Sequence, residues 1–514
     1  MTRFPVRLGA YFLATTILGA CAVGPDYVRP SSENPAVFKE SQNWKQAQPK
    51  DDAIRDKWWE PFGDPELNKL EEQVQVSNQN VKAAEAAYRQ AQALVSEAQS
   101  AYFPAVTANA GITRTGTGSH SSGGAVNGNT VSGGGISNNY NVSLGASWEP
   151  DIWGKIRREV EASKATAEAS NAELGAARLS AQATLASDYM SLRFTDEQAR
   201  LLKNTADNDE RIFKITDNLY KSGVDSRSDY LQAKAQLEAA QAQFADVGVA
   251  RAQYEHAIAV LVGKAPEDLS IAVITNVPSV PAIPLGVPSD LLERRPDIAN
   301  TERLMAAANA QIGVAYAAYF PDLTLSASGG YQSTAMSQLF SLPSRVWSLG
   351  PNLAETIFDA GLRQAQVTAA KASYEQTVAN YRQTVLSAFQ EVEDNLAALR
   401  ILEQEADTQS KAVADAQAAT KIIMNQYKSG TVSYLNVATA QNTELSDELT
   451  YNTINKERLV AAATLITDLG GGWQMNPPAP PPPADKPAQA ASASAMPADL
   501  SQKPAVPPGR SFVK

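Results

Sequence analysis

Few side chains in this 514-residue sequence are placed for covalent or proton-transfer chemistry. Cys21 is the single cysteine, so no disulfide framework exists. It directly follows Leu18-Gly19-Ala20 at the end of an apolar run, where its chemistry would be acylation. His120 and His256, the two histidines, are too far apart in sequence to read as a metal pair or as part of a triad. Asp225 and Asp229 could in principle act as acid and base. At a helix start they are more simply read as caps and as partners of the positive helix end. The residues thus offer one acylation site, no cofactor or metal centre and no enzyme.

The balance of charge points the same way. Lys and Arg total 44 against 55 Asp and Glu, and the net charge of −11 argues against a nucleic-acid partner, which needs basic surface. Arg3 and Arg7 followed by the short apolar run Leu8 to Leu18 read as an address segment, too short to span a bilayer. Ending in Leu-Gly-Ala-Cys, it resembles a bacterial lipoprotein signal, with Cys21 lipidated as the new N-terminus. An ordinary signal followed by an incidental cysteine is the alternative. No helix-length apolar segment follows, so any membrane crossing falls to strands.

The elements that must position any functional residue come as a repeat. Tyr102-Phe103-Pro104 recurs as Tyr319-Phe320-Pro321, and Tyr220-Lys221-Ser222-Gly223 recurs as Tyr427-Lys428-Ser429-Gly430. Each half reads helix, strand pair, very long helix, turn and return helix, with the Pro-rich stretch Ala265 to Pro288 between the halves. In the first strand pair Val106, Ala108, Ala110 and Ile112 alternate with polar or small residues, as do Tyr140, Val142, Leu144, Ala146 and Trp148. The second half matches with Leu323, Leu325, Ala327 and Tyr331, then Trp347, Leu349, Leu353 and Ile357. About ten residues suffice to cross a bilayer at a tilt. Gly116 to Asn138, rich in Gly, Ser and Asn, fits an external loop. Tyr102, Phe103, Trp148, Trp153, Tyr319, Phe320 and Phe358 would form an aromatic girdle. A soluble β-hairpin with core aromatics fits the same pattern.

No proline interrupts Lys155 to Leu219 or Leu362 to Tyr427, which predicts two helices of roughly 90–100 Å. Heptad stripes run through Val160, Ala167, Leu174 and Ala181, and through Val378, Val385, Val392 and Leu399 with Tyr381 and Ala388 between them. Such stripes mark paired helices in a bundle as readily as in a channel wall. Lys221-Ser222-Gly223 and Lys428-Ser429-Gly430 stop the long helices, and Ser228 and Ser433 are the expected caps of the return helices. Four membrane strands cannot close a barrel, because the smallest have about eight and an open edge in lipid is prohibitively costly. A dimer would be plugged by side chains, whereas a trimer of twelve strands leaves a lumen.

Cys21-Ala-Val-Gly-Pro-Asp-Tyr27, Trp58-Trp59, Asp64-Pro65, Asp290-Leu-Leu-Glu-Arg-Arg-Pro-Asp297, both YKSG turns and Gly470-Gly-Gly-Trp473 resemble the lipoprotein subgroup of TolC-like outer-membrane efflux ducts. The resemblance covers Cys21 to about Trp473. It implies an α+β membrane protein in which long antiparallel helices form a periplasmic α-barrel and a homotrimer completes a twelve-stranded outer-membrane β-barrel. It also implies a periplasmic adaptor (membrane fusion protein) and an inner-membrane pump of the resistance-nodulation-division class as partners, with drugs or other toxic compounds as cargo. A type I protein secretion duct is the runner-up, and an adaptor or coiled-coil scaffold lipoprotein would lack the strand pairs. The organisation expected is a signal at 1–20, a lipid-anchored equatorial segment at 21–64, a first repeat at 65–264, a linker at 265–289, a second repeat at 290–473 and a Pro/Ala-rich tail without fixed structure at 474–514.

The same resemblance assigns sites. Ser222, Gly223, Val224 and Asp225, with Ser429, Gly430 and Thr431, would be tips that dock the adaptor, or simply helix caps. Asp229 and Tyr427 would latch the closed state, with Val432 where the family has an arginine. The tightest ring falls on Leu435, Asn436 and Thr439, with Asn442 at a position often held by arginine, so this aperture would be neutral. These residues could equally just start the return helix.

Mass spectrometry of the mature N-terminus is expected to find acylated Cys21, and an unmodified N-terminus would reject the reading. Cys21→Ser should alter processing more than pore formation.

Overall fold

The computed structural model describes residues 22–30, 38–40, 57–116, 136–274, 280–281 and 294–471. Cys21, His120, the centre of the first strand-pair loop, Asp290 to Glu293, Trp473 and the C-terminal tail lie outside them.

Asp64 starts the folded body. Its side chain caps helix α1 (Pro65–Ser77) by accepting from the Glu66 and Leu67 amides, and Pro65 occupies the first turn where its missing N–H costs nothing. The other Asp64 oxygen accepts from the Tyr189 hydroxyl at 2.6 Å, and Arg193 donates to the same hydroxyl at 2.7 Å. Around this knot Trp58 and Trp59, edge to face at 6.0 Å, are 1% and 0% exposed. They pack with Phe62, Leu70, Leu185, Leu396 and Leu465, so the largest apolar core joins the N-terminal segment to helices of both repeats. Arg193 and Arg251 also donate to the carbonyls of Ala272 and Ile271, which ties the inter-repeat segment to this core.

Asn78 ends α1 and caps α2 (Gln79–Ser100), while its amide donates to Leu261 O at 2.9 Å. The chain then forms β1 (Ala105–Gly116), β2 (Ile136–Trp148), α3 (Lys155–Lys221) and α4 (Arg227–Leu261). The second repeat contributes α5 (Pro296–Ala317), β3 (Asp322–Ser333), β4 (Arg345–Ala354), α6 (Leu362–Lys428) and α7 (Tyr434–Asp468). Helices α3 and α6 have 67 residues each, about 100 Å at 1.5 Å per residue. The heptad positions are their packed faces. Val160, Ala167, Leu174 and Ala181 are buried on α3, and Tyr381, Val385, Ala388, Val392 and Leu399 on α6. The chain is α+β, and no described helix is long and apolar enough to cross a membrane.

The strands form one antiparallel sheet in the order β1-β2-β3-β4, with β1 and β4 unpaired on their outer edges. The register places Ala108 opposite Leu144, Val142 opposite Tyr331 and Ala327 opposite Leu349, so the apolar residues of all four strands share one face. That face is open in the protomer: Val106, Ile112, Leu144, Trp347, Leu349 and Leu353 are 60–77% exposed. Strand β4 ends at Ala354, so Ile357 and Phe358 lie beyond it. Where sheet meets helices, the repeats interlock: Trp153 stacks on Phe320 at 4.8 Å and donates to Pro321 O at 2.9 Å.

The segment 22–30 lies across this junction. Val23 donates to Trp153 O, Arg158 binds Asp26 at 2.8 Å, Tyr27 donates to Glu302 at 2.7 Å, and Arg29 reaches Tyr381. Gly24, at φ +104°, passes so close to Gly313 that a Cβ would sit 2.4 Å from its Cα. Gly24→Ala should therefore destabilise the protein by about 1–3 kcal/mol through overpacking and a strained backbone. Hydrogen exchange would quicken at Val23. Unchanged exchange and melting would show that the close approach is not required.

Candidate functional site

The two turnarounds at the ends of α3 and α6 gather most of the sequence-predicted positions. Each long helix stops in the same hydrogen-bonded motif. At the first, Gly223 N donates to Tyr220 O at 3.0 Å and Val224 N to Leu219 O at 2.9 Å. At the second, Gly430 N donates to Tyr427 O at 2.9 Å and Thr431 N to Gln426 O at 3.0 Å. Both glycines adopt positive φ, +74° and +73°, the left-handed conformation this cap requires. Nothing lies within 4 Å of a Cβ built on either, so the space beside them is open. Ser222, Val224, Ser429 and Thr431 are exposed around them, and Val224 is 71% exposed.

The start of α4 corrects one expectation. Ser226, not Ser228, is its cap: Asp229 N donates to Ser226 Oγ at 3.1 Å, and that hydroxyl donates to Asp229 Oδ2 at 2.9 Å. The Ser226 hydroxyl thus caps the helix and touches the Asp229 carboxylate, and Ser228 falls inside the first turn. Ser433 holds the corresponding position before α7 without a side-chain cap bond.

The partners of Tyr427 differ from the expected latch. Tyr427, 5% exposed, donates to Asp225 Oδ2 at 3.2 Å and lies 2.8 Å from Thr216 Oγ1. Asp229 is not its hydrogen-bond partner, because its carboxylate is held by Ser226. Burial is the main force pushing the Tyr427 phenol up, and the negative charges of Asp225 and Asp229 add to it. Tyr427 packs edge to face with Tyr434 at 6.1 Å, in a small core with Ile212, Ala233 and Val437.

On α7, Leu435, Asn436, Thr439 and Asn442 are exposed on one helix face, opposite buried Tyr434, Val437, Gln441 and Leu445. Leu435 is 57% exposed, and the Thr439 hydroxyl donates to its carbonyl at 2.8 Å. Asn442 accepts from Gln236 Nε2 at 2.8 Å, a bridge between α7 and α4.

Beneath that face is a residue that sequence reasoning missed. Asp209 is 1% exposed, and neither carboxylate oxygen has a hydrogen bond of good geometry among the described residues. Burial pushes its pKa up to about 6, with the amides of Gln236 and Gln441 close enough to offset part of the cost. The signal was present: Leu202, Asp209 and Thr216 are spaced by seven, and all are buried. An aspartate thus holds a core position of the heptad stripe.

Comparisons with known proteins bear on the fold and the family. The family model described as outer membrane efflux protein matches residues 70–264 and 287–471, the two repeats. The probable efflux pump outer membrane protein TtgC of Pseudomonas putida is 31% identical over 463 residues, covering 89% of this chain and 94% of the relative. The probable outer membrane lipoprotein SilC of Salmonella typhimurium is 28% identical over 472 residues, covering 91% and 99%. The solved structure of the outer-membrane channel OprN is 31% identical, with a TM-score of 0.80 over 88% of this chain and 100% of that one.

The raised Asp209 pKa sets a direction for pH dependence. The folded protein holds this proton more tightly than the unfolded chain, where the ordinary value is 3.8, so stability is fullest below about pH 4 and declines as pH rises to about 6. The cost at neutral pH is up to about 3 kcal/mol. Asp209→Asn should raise the melting temperature at pH 7 and leave it nearly unchanged at pH 4. Equal shifts at both pH values in circular-dichroism melts would reject the assignment.

Proposed function

The chain belongs to the outer membrane efflux protein family, and from that premise we propose a passive exit duct that trimerises and takes its cargo from an adaptor and an inner-membrane pump. As an outer-membrane efflux duct, it works by enclosing a path rather than by chemistry. The observation that carries this reading is the four-stranded sheet with two open edges and one apolar face, on the same chain as two 67-residue helices. A sheet edge in hydrocarbon leaves backbone groups without partners, so β1 of one protomer pairs with β4 of the next. Three copies make a barrel of twelve strands, wide enough for a lumen. The helices continue that lumen into the periplasm.

The junction supports the lipid anchor. Ala22 lies against the start of α3, since a Cβ on Gly154 would come within 2.8 Å of its Cα. The described chain thus begins at the junction of sheet and helices, where Val23 donates to Trp153 O, and this supports an acyl anchor on the preceding residue.

The tips fit adaptor docking by exposure, by open glycines and by duplication within each protomer. A pump of the resistance-nodulation-division class is the inner-membrane partner proposed, and drugs or other toxic small molecules are the cargo. The closed state is latched by Tyr427 with Asp225 and Thr216. The aperture is the neutral face of Leu435, Asn436 and Thr439, with Asn442 held by Gln236.

The purified protein should form discrete channels in planar bilayers, and an absence of conductance from correctly assembled trimers would overturn the duct. Carboxylates that ring a narrow tunnel bind cations. Thr439→Asp should therefore introduce block by polyvalent cations at micromolar to millimolar concentration. An unaltered current over that range would place Thr439 in helix packing.

A further inference from the structure

The strand register sorts side chains onto two faces, and the face opposite the apolar one bears almost no charge. Asn109 pairs with Ser143, Thr113 with Asn139, Asn141 with Gln332, and Ser328 with Ser348. Arg114 and Arg345 fall on the apolar face, towards the ends of the strands far from the helices. Among the described residues of the polar face, Asp322 carries the one formal charge.

Asp322 is the first residue of β3, where the sheet meets the helices. By the alternation that puts Leu323 and Leu325 on the lipid side, it belongs to the polar side with Thr324 and Ser326. The repeat does not demand an acid there. Tyr102-Phe103-Pro104 is followed by Ala105, whereas Tyr319-Phe320-Pro321 is followed by Asp322.

Its neighbours do not neutralise it. Asp322 shares a shallow depression with Glu149, Asp151 and Lys155. Glu149 is paired with Lys155 at 3.6 Å and Asp151 with Arg157 at 3.0 Å, while Asp322 is exposed and makes no hydrogen bond or ion pair with the described residues. By the same alternation Glu355, one residue past β4, falls on the opposite side, whereas Glu149, one residue past β2, falls on the polar side, where Lys155 offsets its charge.

We propose that Asp322 is the specificity-determining residue of the membrane section, a ring of three carboxylates at the periplasmic mouth of a barrel whose described polar face is otherwise uncharged, and that it favours cations over anions. The inference rests on the trimeric duct. A ring of like charges at a constriction raises the local concentration of counter-ions. Beyond the ring, hydroxyl and amide side chains offer hydrogen bonds without regard to sign, so discrimination by charge is concentrated at one level. Its reach depends on salt, with a screening length of about 30 Å at 0.01 M and about 3 Å at 1 M.

The test is the reversal potential of single channels in planar bilayers under a salt gradient. Asp322→Asn should move the potential towards zero, and Asp322→Lys should move it further towards anion preference. Both shifts should be largest near 0.01 M salt and fade near 1 M. Ser328→Lys, which adds charge to the same face higher in the barrel, should also shift the potential towards anions. If Ser328→Lys shifts the potential and Asp322→Asn does not, the duct stands and the Asp322 ring is wrong. If neither variant shifts it, the face assignment is wrong and the proposal falls with it. Failure of the unmodified protein to conduct would instead remove the duct itself.

Discussion

The unpaired edges of β1 and β4 are the constraint from which the rest of the assembly follows. In water an exposed edge is tolerable when short, twisted or charged, but in hydrocarbon each orphaned N–H and C=O costs several kcal/mol. This sheet has two such edges and an apolar face that includes Trp347 and Leu349, 74% and 77% exposed in the protomer. Neither solvent suits it alone. Pairing with further copies satisfies the edges, lipid covers the apolar face, and the polar face is left lining the interior.

Closure at the membrane needs a support that holds each hairpin pair at a set angle to its helices. The interlock of Trp153 with Phe320 and Pro321 supplies it on one side, and segment 22–30 binds α3, α5 and α6 across the same junction. Farther along, the Trp58 and Trp59 core carries the load between repeats, with Asp64, Tyr189 and Arg193 as its polar knot. Large apolar side chains concentrate there. Farther along α3 the apolar clusters are smaller, Leu202 with Val247 and Leu445, then Ile212 with Tyr427 and Tyr434 near the tips.

The two repeats share architecture and differ in chemistry. Both tips close with the same glycine cap, since a helix that must reverse needs its last carbonyls satisfied whichever repeat it belongs to. The residues beyond the caps have diverged. The first return helix begins with a Ser226 cap whose hydroxyl also touches Asp229, and the second begins with Ser433 and no side-chain cap. Ala105 and Asp322 show the same divergence at the barrel mouth.

Periodic features were legible in the sequence because their cause is local. Alternation in β1 to β4, proline-free heptads in α3 and α6, and the Lys-Ser-Gly stops follow from the geometry of a strand, a helix and a helix end, and each appears at the residues that carry the pattern. Pairings between distant residues were not legible. Asp225 and Asp229 are both aspartates, four residues apart, and only the fold shows that Ser226 holds the second while Tyr427 reaches the first. Asp209 stands at a heptad core position in the sequence, but only the fold shows α4 and α7 closing over it with Gln236 and Gln441 beside its carboxylate. By itself, the sequence determined the elements, their repeat and the need for more than one chain, since these depend on backbone geometry and the cost of an open edge. The tertiary structure decided which distant polar groups meet, as Tyr427 meets Asp225 and Thr216, because those choices depend on contacts between residues some two hundred positions apart.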